Sequence, residues 1–175
     1  MNIVLIGFKA CGKSTIGLRL ARLAGMDFVD TDALAEDNFF QARGERLSSR
    51  EIYSRFGESF WRDLETDAVR GLSLARGAVI ATGGGIILRA ENPPLLRAAG
   101  LCVFLDVPLP VLEKRLENQA LSPLFRARGV AAVYRERLPL YLAAAHLRYA
   151  ARGNEDARAL ARGLSARIRE EKYGQ

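Results

Sequence analysis

Short apolar runs alternate along this chain with longer stretches in which apolar residues recur every three or four positions. The runs at residues 2–6, 28–29, 78–81, 101–105 and 147–150 have the length of strands, the last being the weakest. Helical spacing marks residues 13–24, 33–40, 49–56, 58–74, 94–99, 110–117, 130–145 and 156–172. Gly25, Gly57, Gly77 and Gly100 follow helical patterns, where a helix end favours glycine. Ser48-Ser49-Arg50-Glu51 has the form of a capping box that starts a helix. Strands separated by helices predict an α/β fold, with a parallel sheet covered on both faces and ligands collecting beyond the strand C-terminal ends. Gly7, Asp30–Asp32 and Gly83–Gly85 all fall at such ends. Residues 117–129 are the least regular interior segment, and Pro123 and Gly129 suit a mobile flap. The chain shows no internal repeat, low-complexity stretch or interdomain linker, so residues 1–175 read as one domain.

The sharpest local signal joins the first strand to the first helix. Gly7-Phe8-Lys9-Ala10-Cys11-Gly12-Lys13-Ser14 is a complete G-x-x-x-x-G-K-S loop between an apolar run and a helical pattern. Its glycines let successive backbone N–H groups turn inward, and the helix N-terminus adds positive potential. Lys13 would meet the outer phosphates of a nucleoside triphosphate, and the Ser14 hydroxyl would ligate Mg²⁺.

Composition narrows the setting. Hydrophobic residues make up 49% of the chain and charged residues 26%, which is globular rather than disordered. No apolar run reaches the roughly 20 residues that span a bilayer, and Met1 leads straight into the first strand, so a cytoplasmic protein with no membrane partner is expected. Cys11 and Cys102 provide no disulfide framework. Cys102 reads as a core residue and Cys11 as a small loop-filling one, although a helix N-terminus can also lower a thiol pKa. The net charge of +6 invites a nucleic-acid reading. Among the 26 basic residues, however, only Lys9, Lys13, Lys114 and Lys172 are lysines, and the arginines are scattered rather than gathered in a stripe. Anionic small ligands account for the sign equally well, since arginine grips phosphates and carboxylates bidentately.

Three weaker constellations sit near the phosphate loop. Asp30-Thr31-Asp32 ends a short strand with carboxylates two residues apart, which in extended geometry lean to one side. One carboxylate can organise Mg²⁺ while the other addresses an acceptor hydroxyl; a strand-end N-cap plus a solvated acid is the plainer alternative. Thr82-Gly83-Gly84-Gly85 closes the third strand and opens backbone N–H groups to a ligand where any Cβ would intrude. Arg62 lies one helical turn before Glu65, which can orient it. Arg137 precedes Leu138-Pro139-Leu140-Tyr141, and the proline is expected to distort that helix and fix the arginine's direction. Tyr141 and Tyr149 read as ordinary packing, and His146 carries no role.

Taken together, the phosphate loop, Asp30-Thr31-Asp32, Gly57-Glu58 with Trp61-Arg62 and Glu65, Gly83-Gly84-Gly85, and Arg137 ahead of Pro139-Leu140-Tyr141 resemble the shikimate kinase family in order and spacing. The resemblance implies a nucleoside-monophosphate-kinase-like three-layer sandwich: a five-stranded parallel sheet flanked by helices, a substrate-binding region at about 31–62 and a lid at about 117–129. It implies a monomer that uses ATP and Mg²⁺ to make shikimate 3-phosphate. Carried over, Lys13 and Asp32 would be catalytic, and Ala10, Cys11, Gly12, Lys13, Ser14, Thr15, Arg115 and Arg152 would contact the nucleotide. Asp32, Arg62, Gly84, Gly85 and Arg137 would bind the acid, and Ser14 and Asp30 would hold the metal. Two departures stand out. Trp61 replaces the usual Phe before the clamp arginine, and Ser122-Pro123-Leu124 stands where the family's lid reads Arg-Pro-Leu. Arg126, ahead of Arg128, is expected to supply the missing lid cation. Alternatives are another hydroxy-acid kinase such as a gluconate kinase, or a nucleotide-binding regulatory paralogue that lost turnover with that arginine.

Overall fold

The structure, a computed structural model, describes residues 1–117, 119, 121–153 and 155–173. Asn118 and Ala120, inside the expected flap, lie outside the described residues. Among the described residues five strands form one wholly parallel sheet: β1 (Asn2–Ile6), β2 (Asp27–Asp30), β3 (Ala78–Ala81), β4 (Gly100–Asp106) and β5 (Leu147–Ala150), in the spatial order β2-β3-β1-β4-β5. β1 is buried along its full length because it is central, with Ile3 opposite both Val79 and Leu101. Being covered on both faces, it is a continuous apolar run rather than an alternating one.

α1 (Lys13–Ala24) packs against β1, β2 and β3 and against α8 (Ala157–Tyr173). α4 (Asn92–Ala99) and α7 (Val130–Ala144) pack on β4 and on one another, and α5 (Leu109–Leu116) lies beside α7. α2 (Thr31–Arg43) and α3 (Ser49–Gly71) pair with each other around a small core of their own, Ala35, Phe39, Ile52, Trp61 and Ala68. That satellite core carries the expected substrate-binding region as a unit set on the edge of the sheet. At the opposite end of the sheet Asn2 donates to Ala75 O and Ala99 O and accepts from the Ala78 N–H, tying three chain segments together.

The division expected at Gly57 is present: its non-helical φ of 86° and ψ of 173° split α3 into two helical halves that meet at a kink. Several other local expectations are corrected. Residues Leu72–Leu74 tighten into a 3₁₀ turn. Thr31 and Asp32 belong to the first turn of α2, not to an extended strand, so Asp30 and Asp32 are not paired by strand geometry. The irregular flap contains a short helix, α6 (Pro123–Arg128). Gly44, with φ 70°, caps α2, and Gly100 follows α4 as its C-cap, its N–H donating to Leu96 O as β4 opens, whereas Gly77 stands three residues beyond the 3₁₀ turn. α7 runs on through Pro139. The capping box at Ser48 is present in full. Both cysteines are buried, and burial pushes the Cys102 thiol up to about 12, as suits a core residue.

Candidate active site

The C-terminal ends of β1, β2 and β3 open onto a cavity of about 560 Å³. The loop after β1 bends through Gly7 (φ 150°), Ala10 (φ 64°) and Gly12 (φ 100°) before α1 begins at Lys13. A side chain at Gly7 would come within 2.9 Å of Leu105 O, so the loop needs glycine there for both space and φ. The buried Lys13 ammonium donates to Gly7 O at 2.8 Å and Phe8 O at 2.9 Å. It is therefore held inside the loop that it would share with phosphate oxygens. Ala10, Gly12, Ser14 and Thr15 join Lys13 on the cavity wall. Cys11 does not; it is buried beneath the loop, with its Sγ 3.6 Å from the lysine.

Asp30 ends β2 and caps α2. Its Oδ2 accepts from Ser14 Oγ at 2.6 Å and its Oδ1 from the Asp32 N–H at 3.0 Å. These are hard oxygen donors beside a phosphate loop, the set that Mg²⁺ takes alongside water and phosphate. Among the described residues no group of three or more His, Cys, Asp or Glu could hold a metal ion.

Asp32 is not the solvated acid of the plainer alternative. Its Oδ1 is buried and has no hydrogen-bond partner among the described residues. Burial first, then repulsion from Glu65 and Asp30, pushes its pKa up to about 7, with Lys13 opposing. The glycine triplet explains how it fits. A side chain at Gly83 would collide with Asp32 Oδ1 and lie 2.7 Å from Glu65 Oε1, and one at Gly85 would overlap the Arg62 guanidinium. The triplet thus clears space for the site's own charged side chains, beyond the expected approach of a ligand. The Gly83 N–H is already committed to Thr31 Oγ1 at 3.2 Å.

Two arginines enter from different helices. Arg62, on α3, is gripped by Glu65 at 2.5 Å and by Glu58 at 3.1 Å, so its orientation is set from two carboxylates, one more than the spacing suggested. Glu65 is itself buried, and burial raises its pKa. Arg137, on α7, donates to Gly84 O at 3.1 Å, with its guanidinium 5.8 Å from the Phe125 ring of α6. These contacts fix its direction; the proline has no need to. Tyr141 donates to the same carbonyl and stacks on Phe104. The sequence shows it only as packing, although its i+4 spacing from Arg137 puts it on the same helix face.

Arg126 lines the cavity from α6, whereas Arg128 is drawn away into an ion pair with Glu136 at 2.8 Å. Gly84, Gly85 and Trp61 are also on the wall. Arg115 and Arg152 are not: Arg115 donates to Ala10 O from behind the loop, and the Arg152 N–H bonds Glu155. Ser49, Arg50, Tyr53 and Ser54 line the cavity from the first turns of α3, and no sequence signal marks them. Only tertiary folding brings that helix end over the phosphate loop.

In sequence and fold the chain is similar to known proteins. The family model described as "Shikimate kinase" matches residues 9–168. A shikimate kinase of Nitratidesulfovibrio vulgaris is 39% identical, covering 94% of each chain. The structure of shikimate kinase from Acinetobacter baumannii in complex with shikimate superposes with a TM-score of 0.86 at 29% identity, over 98% of this chain and 94% of that one. The enzyme from Aquifex aeolicus gives 0.79 at 28% identity over the whole of both chains.

Proposed function

This chain belongs to the shikimate kinase family, and from that premise we propose that it transfers the γ-phosphoryl group of ATP to the 3-hydroxyl of shikimate. ADP and shikimate 3-phosphate are the products. The observation that carries the reading is the meeting, in one cavity, of a phosphate loop, a buried carboxylate and two separately anchored guanidinium groups.

Arg62 and Arg137 clamp the substrate carboxylate, and the Gly84-Gly85 segment faces the ring between them. Charge-assisted, forked contacts of this kind separate an acid from a neutral sugar. Asp32 accepts hydrogen bonds from the acceptor alcohols and takes the proton as the oxygen attacks. Its raised pKa suits that task near neutral pH, although a loose phosphoryl-transfer transition state asks little of a base. The backbone N–H groups of residues 10–15 and the Lys13 ammonium cradle the β- and γ-phosphates. Ser14 and Asp30 would hold Mg²⁺, which would supply positive charge to offset that developing on the phosphates. Arg126 supplies the cation that Ser122 cannot. Arg115 and Arg152 meet the adenosine end of the nucleotide. Catalysis is then alignment and charge neutralisation.

Residues 1–175 act as one domain and as a monomer in the cytoplasm, on small molecules rather than nucleic acid. No helix among the described residues is long and apolar enough to cross a membrane. The deciding experiment offers a panel of hydroxy acids, including shikimate and gluconate, with MgATP and reads ADP formed. Turnover with shikimate is expected. Turnover with gluconate alone, or binding of both substrates without ADP release, would overturn the reading.

A further inference from the structure

Arg50 on the cavity wall has no task in the reaction just described. Arg50 lines the cavity and is exposed, and among the described residues its side chain has no hydrogen bond, ion pair or ring contact. Its neighbours on the α2–α3 unit are all held. Arg46 pairs with Asp37 and stacks on Phe40, Arg55 pairs with Glu45, Arg43 lies over Phe56 and Phe60, and Arg62 sits between Glu58 and Glu65. Arg50 is also placed against its own helix. It is the second residue after the Ser48 cap, in the first turn of α3, where the helix dipole disfavours a cation. The adjacent Glu51 gives its carboxylate to the capping box rather than to Arg50. An unpaired charge that breaks a local rule on a cavity wall marks a functional position rather than a folding one.

Its place in the cavity says which anion it meets. The phosphate loop and Lys13 form the donor side; α3, with Trp61 and Arg62, forms the acceptor side. The substrate carboxylate already has two guanidinium groups. What the acceptor side gains only on reaction is the transferred phosphoryl group. Resting on the kinase reading above, we propose that Arg50 is a product-side contact that grips this phosphoryl group once it is on the acceptor.

The test compares wild type, Arg50→Ala, Arg50→Lys and Arg46→Ala. Shikimate 3-phosphate affinity is measured by calorimetry and product inhibition, and the KM of shikimate in the forward assay. Arg50 is exposed, so its truncation leaves the core intact. Arg50→Ala is expected to weaken product binding about tenfold while shifting the shikimate KM less than about twofold, since a charged phosphate contact is lost and the carboxylate clamp is not. Arg50→Lys should fall between, keeping the charge but losing the fork, and Arg46→Ala should match wild type. The assignment is overturned if product affinity is unchanged in Arg50→Ala. It is also overturned if product and shikimate weaken equally, or if Arg46→Ala weakens product as much. A failed kinase reading would appear differently, as absence of ADP formation by the wild type in the same assay.

Discussion

Asp32 has a buried carboxylate oxygen and lies beside two other carboxylates, Glu65 and Asp30, so its titration should be visible from outside. In the unliganded fold its carboxyl keeps its proton up to about pH 7, against an ordinary value of 3.8. Between those values the folded state binds a proton that the unfolded chain releases, so this group's contribution to stability is present at low pH and falls as pH rises through the window. Asp32→Asn should therefore be more stable than wild type at pH 8, by a few kcal/mol, because each tenfold change in proton affinity is worth roughly 1.4 kcal/mol. The difference should shrink towards pH 4; denaturant melts across this range check it. The same substitution should abolish turnover, while wild-type kcat/KM climbs with pH through about 7. Arg62→Lys keeps the charge but loses the fork held by Glu58 and Glu65. It should raise the shikimate KM far more than the ATP KM, and equal effects in steady-state assays would refute the clamp. Arg126→Ala should cut kcat by a factor of about 10³ or more, as loss of a transition-state arginine does. Arg128→Ala, removing a side chain tied to Glu136, should leave kcat near wild type.

At the level of elements, the α2–α3 unit has a joint that local pattern reads. Gly57 ends one helical pattern and the next starts straight after it, because at φ 86° and ψ 173° it is not helical. Nothing crowds a side chain there, so the requirement is conformational. Gly57→Ala should cost about 1–3 kcal/mol in denaturant unfolding, and by tilting the half of α3 that carries Trp61 and Arg62 it should raise the shikimate KM. The lid teaches the converse. Pro123 and Gly129 read as flap punctuation, yet proline in a first turn and glycine just past the end are the signals of a short helix, and α6 lies between them. Its Phe125 packs edge-on against Phe8 of the phosphate loop, 5.5 Å between ring centres. No run of residues announces a contact between segments so far apart.

For the molecule as a whole, the alternation of strands and helices was enough for the architecture, because a parallel sheet needs crossover helices and buries both of its faces. The phosphate loop was equally legible, since its chemistry lies in consecutive residues. The order β2-β3-β1-β4-β5 was not written in any local pattern. That order sets β2 and β3 side by side, with β3 next to β1, and so brings the ends of three strands to one cavity.

What the residues alone determine here is everything carried by neighbours in the chain: the loop and its lysine, the α/β alternation, the Ser48 cap, and the turn of helix that sets Glu65 against Arg62. Folding decided what depends on distant segments meeting. It buried Asp32 against Glu65 and Asp30, and made the glycine triplet a clearance for charged side chains. It joined Arg137 and Tyr141 to one carbonyl and turned Arg50 and Arg126 towards the same cavity. Backbone chemistry is local and can be read in order, whereas desolvation and charge pairing depend on distances in space that only the packed chain sets.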